Sequence, residues 1–368
     1  MYEAMKQQRF FLLLFLGLLS ILSPLSSAAQ SSDEVNALLD VGAHHFLPGQ
    51  VIKVDVQLNN HTSQLIKNRT RLQVVNQGGM ESWSTLLRIP LKANQPFRIP
   101  MMVKAPEAEG KYVLRACADE NGAKLSDDIP FDVFQPEKSK KSSKIMVYVP
   151  DYEPALKKFV EEWKINAPTF SWGQCMLCSY RTWQRLQNGD ADVSAEVERA
   201  LRRNMSVIFL DFGPATMPDI DQTEIDLPFR ISAYFSGKAN PETAFSIVSK
   251  NQELNYHLQN MESGNWNGFD AVTVPPVRMN VKVKGGSKKN IVQTGKNPYR
   301  FPVVSISIGR GRGKVVLSQL LTDGRLLKPD GKVQSNKDGL QYDPLTVQLV
   351  LNLISMSVDN SLLQGANN

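Results

Sequence analysis

Residues 51–58 read VIKVDVQL, with Ile52, Val54, Val56 and Leu58 on one parity and Lys53, Asp55 and Gln57 on the other. In an extended chain successive side chains point to opposite faces, so this stretch is a strand with one face buried and the other in water. Similar short runs recur at 70–75, 84–89, 97–103, 112–118 and 129–134, punctuated by turn-formers such as Pro48-Gly49 and Asn121-Gly122. Several strands at this spacing predict an all-β sandwich over residues 30–135.

Working outward, the next stretch, 136–144, reads PEKSKKSSK. With its charges and no large apolar group it is expected to bury nothing, which makes it a linker. Beyond it the period changes. Ile145–Val149 is an apolar run, and Pro154 opens a helical stretch to about 166 with Leu156, Phe159, Val160 and Trp163 on one face. Val193, Val197, Ala200 and Leu201 make a second helical stripe that feeds the apolar run 207–210 and the turn Asp211-Phe212-Gly213. Runs 303–308 and 314–317 flank a glycine-rich turn, and Asp343-Pro344 opens a last helix over 345–356. Strands alternating with helices predict an α/β domain over 145–358 with a parallel sheet covered on both faces. The end, 359–368, reads as a disordered tail.

Upstream, Lys6 and Arg9 precede an apolar run from Phe10 to Leu22, and Ser27, Ala28 and Ala29 follow. This is the pattern of a secretory signal peptide, 1–29, cut after Ala29; the run is too short for a bilayer-spanning helix. The expectation is a secreted or periplasmic chain with no stable membrane span once the leader is removed. The leader carries two cations and one anion, so the net charge falls from +6 to +5. The lysines at 138–144 and the basic stretch 282–300 read as solvated loops. No nucleic-acid module is visible, and no nucleic-acid partner is expected.

Two resemblances follow. PGQVIKVDVQLNN (48–60) and AEGKYVLRACADENG (108–122) resemble the immunoglobulin-like accessory domains of secreted glycosidases. GRGRGKVVLSQLL (309–321) and YDPLTVQLVLNLI (342–354) resemble the closing strands and terminal helix of the flavodoxin-like, class I glutamine-amidotransferase-like modules of secreted β-galactosidase-type glycoside hydrolases. That family can carry a Cys-His-Glu triad, with Cys on a turn after a central strand. Here the turn has Asp211, no His follows Gln319, and the triad is not matched. The resemblance therefore implies a pseudoenzyme: an accessory, binding or scaffolding protein that docks a glycan or an envelope protein partner.

Residues beyond the carboxyl ends of parallel strands border the ligand cleft of such a sheet. Asp151, Tyr152, Asp211, Gly213, Ser318 and Gln319 are the candidates, and Asp151 with Asp211 would be the acid–base pair of a carbohydrate-active hydrolase, the alternative reading. Acidic residues at strand ends also cap helices. Trp266, in GNWNGFD (264–270), is a candidate sugar platform, and Trp172 and Trp183 are placed in or beside loops. Cys175 and Cys178, expected between an aromatic strand at 170–172 and a helix at 181–186, read as a local disulfide, two free thiols or a redox pair. A metal would need two further ligands that are not evident, and no metal or other cofactor is expected. Gly309, Gly311 and Gly313 lie between two strands, which favours a hairpin over a phosphate loop.

Overall fold

The computed structural model describes residues 34–41, 44–212, 224–227, 231–236, 247–248, 253–254, 256–258, 278–283, 287–294, 303–308, 313–319, 322–328 and 342–359. The leader, Gly213, the glycines at 309 and 311, the 264–270 stretch with Trp266, and residues 360–368 lie outside them.

Two sheets share the first core. One runs β1 (Val35–Asp40), β3 (Val51–Asn60), β6 (Phe97–Lys104); the other runs β2 (His45–Phe46), β8 (Ile129–Val133), β7 (Gly110–Ala118), β4 (Ile66–Asn76), β5 (Glu81–Leu91). All pairings are antiparallel except β2 with β8. Ile52, Val54, Val56 and Leu58 of β3 pack with Leu72 and Val74 of β4 and Leu114 of β7, while Lys53 and Asp55 are exposed. The alternation in 51–58 is thus the burial alternation of β3.

The second half holds a seven-stranded sheet. Its parallel part is β9 (Val147–Tyr148), β10 (Cys175–Cys178), β11 (Ser206–Phe209) and β18 (Lys314–Ser318), and β17 (Val303–Ser307), β16 (Ser287–Thr294) and β14 (Ile247–Val248) add an antiparallel edge. The sheet is therefore mixed, because β17 returns directly into β18 as a hairpin. Three further strands, β12 (Glu224–Leu227), β13 (Ile231–Ser236) and β15 (Arg278–Val283), pair antiparallel beside it. Gly313 enters β18 against α3 (Ala191–Arg202): its N–H donates to Leu201 O at 3.0 Å, and a Cβ there would lie 1.6 Å from Met205 O. Only glycine allows that approach.

The four-residue strands β10 and β11 are buried at every position, so they read as continuous apolar runs. Helices α1 (Pro154–Glu162), α2 (Tyr180–Gln187) and α3 bury one stripe each, and the stripe of α3 is Val193, Val197, Ala200 and Leu201. Asp190 caps α3 by accepting from Val193 N at 3.1 Å. Helix α4 (Pro344–Ser357) differs, because all 14 of its residues are buried.

That burial corrects the expected linker. Pro136 and Ser142 are buried, and Ser142–Lys144 forms a turn of 3-10 helix. Glu137 exchanges two hydrogen bonds with the Gln348 amide of α4, at 2.8 and 3.1 Å, and Ser139 Oγ lies 3.3 Å from Ser355 Oγ. Lys138 donates to Trp163 O, and Lys141 pairs with Glu253 at 2.9 Å. The segment is polar because α4 presents polar groups to it, and composition alone cannot reveal such a partner. A second correction concerns 170–172, a single 3-10 turn rather than a strand. Thr169 and Ser171 hydroxyls bond each other at 2.8 Å, a local pairing that competes with a sheet ladder.

Replacing Gln348 with Leu removes both bonds to Glu137 and is expected to cost about 1–3 kcal/mol in urea denaturation. Trypsin should then cut at Lys138, Lys140 or Lys141 faster than in the parent; an unchanged cleavage rate would show the segment undocked in solution.

Candidate functional site

The carboxyl ends of β9, β10, β11 and β18 converge on one edge of the sheet, where a buried carboxylate follows each of two strands. Glu153 comes after β9, one residue before the proline that opens α1. Its side chain does not cap its own helix. It reaches the next strand end instead, accepting from Ser179 N at 3.0 Å, Ser179 Oγ at 2.7 Å, Thr182 N at 3.2 Å and Thr182 Oγ1 at 2.8 Å. Ser179 is the N-cap of α2 and accepts from Arg181 N, so Glu153 sits at the positive end of that helix. Ionised oxygens with this many donors form charge-assisted bonds.

Asp211 follows β11 with φ +55°, a left-handed conformation unusual for a residue other than glycine. Its carboxylate is buried and accepts from Thr322 N, Thr322 Oγ1 at 2.7 Å and Asp323 N at 3.3 Å. Burial lifts its pKa to about 6, against the pull of those donors. Phe212 N donates to Ser318 O at 2.8 Å, and the Phe212 ring packs edge-on against Trp183 with centroids 5.1 Å apart.

Behind Asp211 a buried polar line leads to β2. Arg325, shifted down by burial, feels both Asp211 and Asp343. Asp343 caps α4, accepting from Leu345 N at 2.9 Å, and lies 3.5 Å from Nδ1 of buried His45 on β2. Burial also lowers the His45 pKa, although Asp343 and Asp132 oppose it.

The candidates fare unequally. Asp151 is not in the cleft: its side chain is 93% exposed and pairs with Lys157. It therefore makes no acid–base pair with buried Asp211, and the carboxylate that turns inward is Glu153, which sequence reasoning misses. Its signal is slight, an acidic residue directly before a helix-opening proline. Tyr152 is half-buried, with the Arg185 guanidinium 4.2 Å over its ring, and burial raises its phenol pKa. Ser318 and Gln319 are buried at the end of β18. Thr322 and Arg325 complete the edge and carry no sequence signal. Trp183 belongs to the core rather than a loop, whereas Trp172 is 65% exposed. Gly213 and Trp266 lie outside the described residues.

The disulfide and redox readings of Cys175 and Cys178 are corrected. Both lie on β10 itself, buried and free. Three residues apart on a strand, their side chains point to opposite faces: Cys175 packs in the core on the α4 side, and Cys178 in the one that holds Trp183. Burial pushes the Cys175 thiol up to about 12 and raises Cys178 as well, with the nearby Glu153 carboxylate adding to the second shift. Neither is a thiolate nucleophile at neutral pH. Among the described residues no cluster of His, Cys, Asp and Glu could hold a metal ion, and no helix is long and apolar enough to cross a membrane.

No protein family matches the sequence, and no curated protein matches it. Solved structures that share a part with it include a β-glucosidase from Erythrobacter marinus, at 8% identity and TM-score 0.23, over 27% of this chain and 15% of that one. A CARDB domain of a Pyrococcus furiosus protein, in complex with di-metal ions, matches at 15% identity and TM-score 0.21, over 27% of this chain and 91% of that one. An alkylpurine DNA glycosylase from Pseudomonas fluorescens matches at 17% identity and TM-score 0.23, over 27% and 30%. The chain thus spans about a seventh of the length of the glucosidase it matches.

Two measurements check the site. Iodoacetamide should leave Cys175 and Cys178 unmodified in the native protein and alkylate both in urea; rapid native labelling would contradict their burial. For Asp211 a raised folded pKa means that its contribution to stability is full below about pH 3.8 and is lost as pH rises through about 6. His45 acts oppositely below pH 6.5, so the comparison is with Asp211→Asn. The stability of the parent relative to this variant should rise as pH falls from 7 to 5, by up to about 1.4 kcal/mol per pH unit; a flat difference would place the Asp211 pKa near the ordinary value.

Proposed function

We propose that this chain is a secreted or periplasmic binding or scaffolding protein, immunoglobulin-like in its first domain and amidotransferase-like in its second, that docks a glycan or an envelope protein partner. One observation supports it above the rest: the buried carboxylates Glu153 and Asp211 hold the loops after neighbouring strands together through several hydrogen bonds each. A carboxylate whose oxygens are occupied by structural donors has no free lone pair aimed at a substrate, which makes it a poor nucleophile or general base. Asp151 stands in water with Lys157. On this reading no cofactor takes part.

A hydrolase reading keeps one specific support. Asp211 combines a left-handed backbone, burial at a strand end and a pKa of about 6, features that cluster at catalytic sites.

The test is a glycan array with thermal-shift follow-up, with Asp151→Asn and Asp211→Asn assayed for turnover of any ligand found. Binding without turnover, equal in parent and variants, is the expected result. Turnover abolished in Asp211→Asn and retained in Asp151→Asn would replace the scaffolding reading with the hydrolase.

A further inference from the structure

The outward face of the five-stranded sheet is strongly basic. On β4, Asn68, Thr70, Leu72 and Val74 point into the core, which turns Lys67, Arg69, Arg71 and Gln73 outward as one row. Cations two residues apart on a strand recur about every 6.8 Å. On β5, Arg88 lies directly opposite Arg69, and Ser84 lies opposite Gln73. On the other side, β7 places Arg115 opposite Gln73. Lys124 adds a charge at the rim, where it shares Asp128 with Arg115.

Acidic residues neutralise this face only in part. Asp119 accepts from Arg69 at 2.6 Å and Arg71 at 2.7 Å, and its side chain is 9% exposed beneath guanidinium groups that are each 44% exposed. Among the described residues neither Lys67 nor Arg88 closes an ion pair. The Arg69–Arg88 juxtaposition matters most, because like charges directly opposite across a strand pair destabilise it. Such a pair serves a fold poorly and an anionic ligand well. The outer face of the three-stranded sheet offers a contrast, being crossed by a chain of neutral amides, Gln57–Asn59–Asn36, that ends on the single cation Arg98.

From this geometry we propose that the β4–β5–β7 face binds an anionic polysaccharide, its carboxylate or sulfate groups taken up along the Lys67–Arg69–Arg71 row and by Arg88. A flat, water-exposed sheet gives little per charge, so the ligand must repeat its charge along an extended chain. Arginine forks match carboxylate and sulfate oxygens two at a time. The Gln73–Ser84 end is already engaged, Ser84 donating to the Glu81 carboxylate at 2.6 Å and Gln73 to Cys117 Sγ at 3.5 Å, so the anion-binding part is the row from Lys67 to Arg71 with Arg88. The proposal rests on the binding reading above and on the chain's export, and gives that reading a surface and a ligand class.

The purified protein is titrated with fluorescent polygalacturonate as the carboxylate probe, dextran sulfate as the sulfate probe and neutral dextran as control. Binding to either polyanion that weakens as salt rises, with none to dextran, is expected, and the preferred probe identifies the anionic group. Arg69→Gln/Arg88→Gln should weaken it about tenfold with little change in Tm, since it removes a like-charge pair together with the exposed Arg69–Asp119 ion pair while Arg71 keeps Asp119 paired. Lys53→Gln/Lys158→Gln, the same charge change on β3 and α1 and away from this face, should leave affinity unaltered. Equal weakening by both double variants, failure to bind either polyanion, or tighter binding to anionic-lipid vesicles or single-stranded DNA would overturn the proposal. Capture of a neutral glycan, unaffected by the arginine changes, would sink this inference and leave the binding reading standing.

Discussion

A helix without a solvent-facing side must be enclosed by other parts of the chain, and α4 meets that condition from several directions. Its apolar residues Leu345, Leu349 and Leu353 join the core under the parallel strands. Its polar residues each find a partner elsewhere: Gln348 at Glu137, Asn352 at the carbonyls of Leu254 and Tyr256, Ser355 at Ser139. Asp343 at its start faces His45 of β2. An unpaired polar group in this position would cost about 1–3 kcal/mol, so the surrounding segments are held in place as strictly as the helix.

The same economy governs the strand-end edge. Parallel strands leave their C-terminal loops side by side with no ladder to join them, and here side-chain carboxylates make the joins. Glu153 links the loop after β9 to the start of α2, and Asp211 links the loop after β11 to the one after β18. The position that could carry an exposed reactive group is occupied by an acid turned inward under strain. That arrangement explains how an edge with the topology of a ligand cleft can lack a nucleophile–base pair among its described residues.

Much of this was legible wherever the signal was local. The alternation in 51–58 and the stripe Val193, Val197, Ala200, Leu201 follow directly from the periods of strand and helix, and Asp190 and Asp343 cap helices as their residue types suggest. What failed was whatever depended on a distant partner. The segment 136–144 has linker composition but a docking surface 211 residues away. The Cys-x-x-Cys spacing suits a bridge at a helix start, yet on a strand it divides the pair between two cores. The basic sheet face was hidden because its members come from three strands, and only their register brings Arg69 to Arg88 and Arg115 to Gln73.

The docking of 136–144 against α4 also bears on how the molecule assembles. The core between the sheets of β1–β8 is made of strands within residues 35–133 and can close soon after they are made, whereas the seven-stranded sheet cannot finish until a helix more than two hundred residues after 136–144 arrives. Closing so long a loop carries an entropic cost that local contacts cannot offset in advance. The β1–β8 core is therefore a folded platform waiting while the second sheet is still open, with the buried strands β10 and β11 exposed in the interim. A truncation removing α4 alone would leave the apolar strands β10 and β11 without their cover, an aggregation-prone product rather than a smaller working protein.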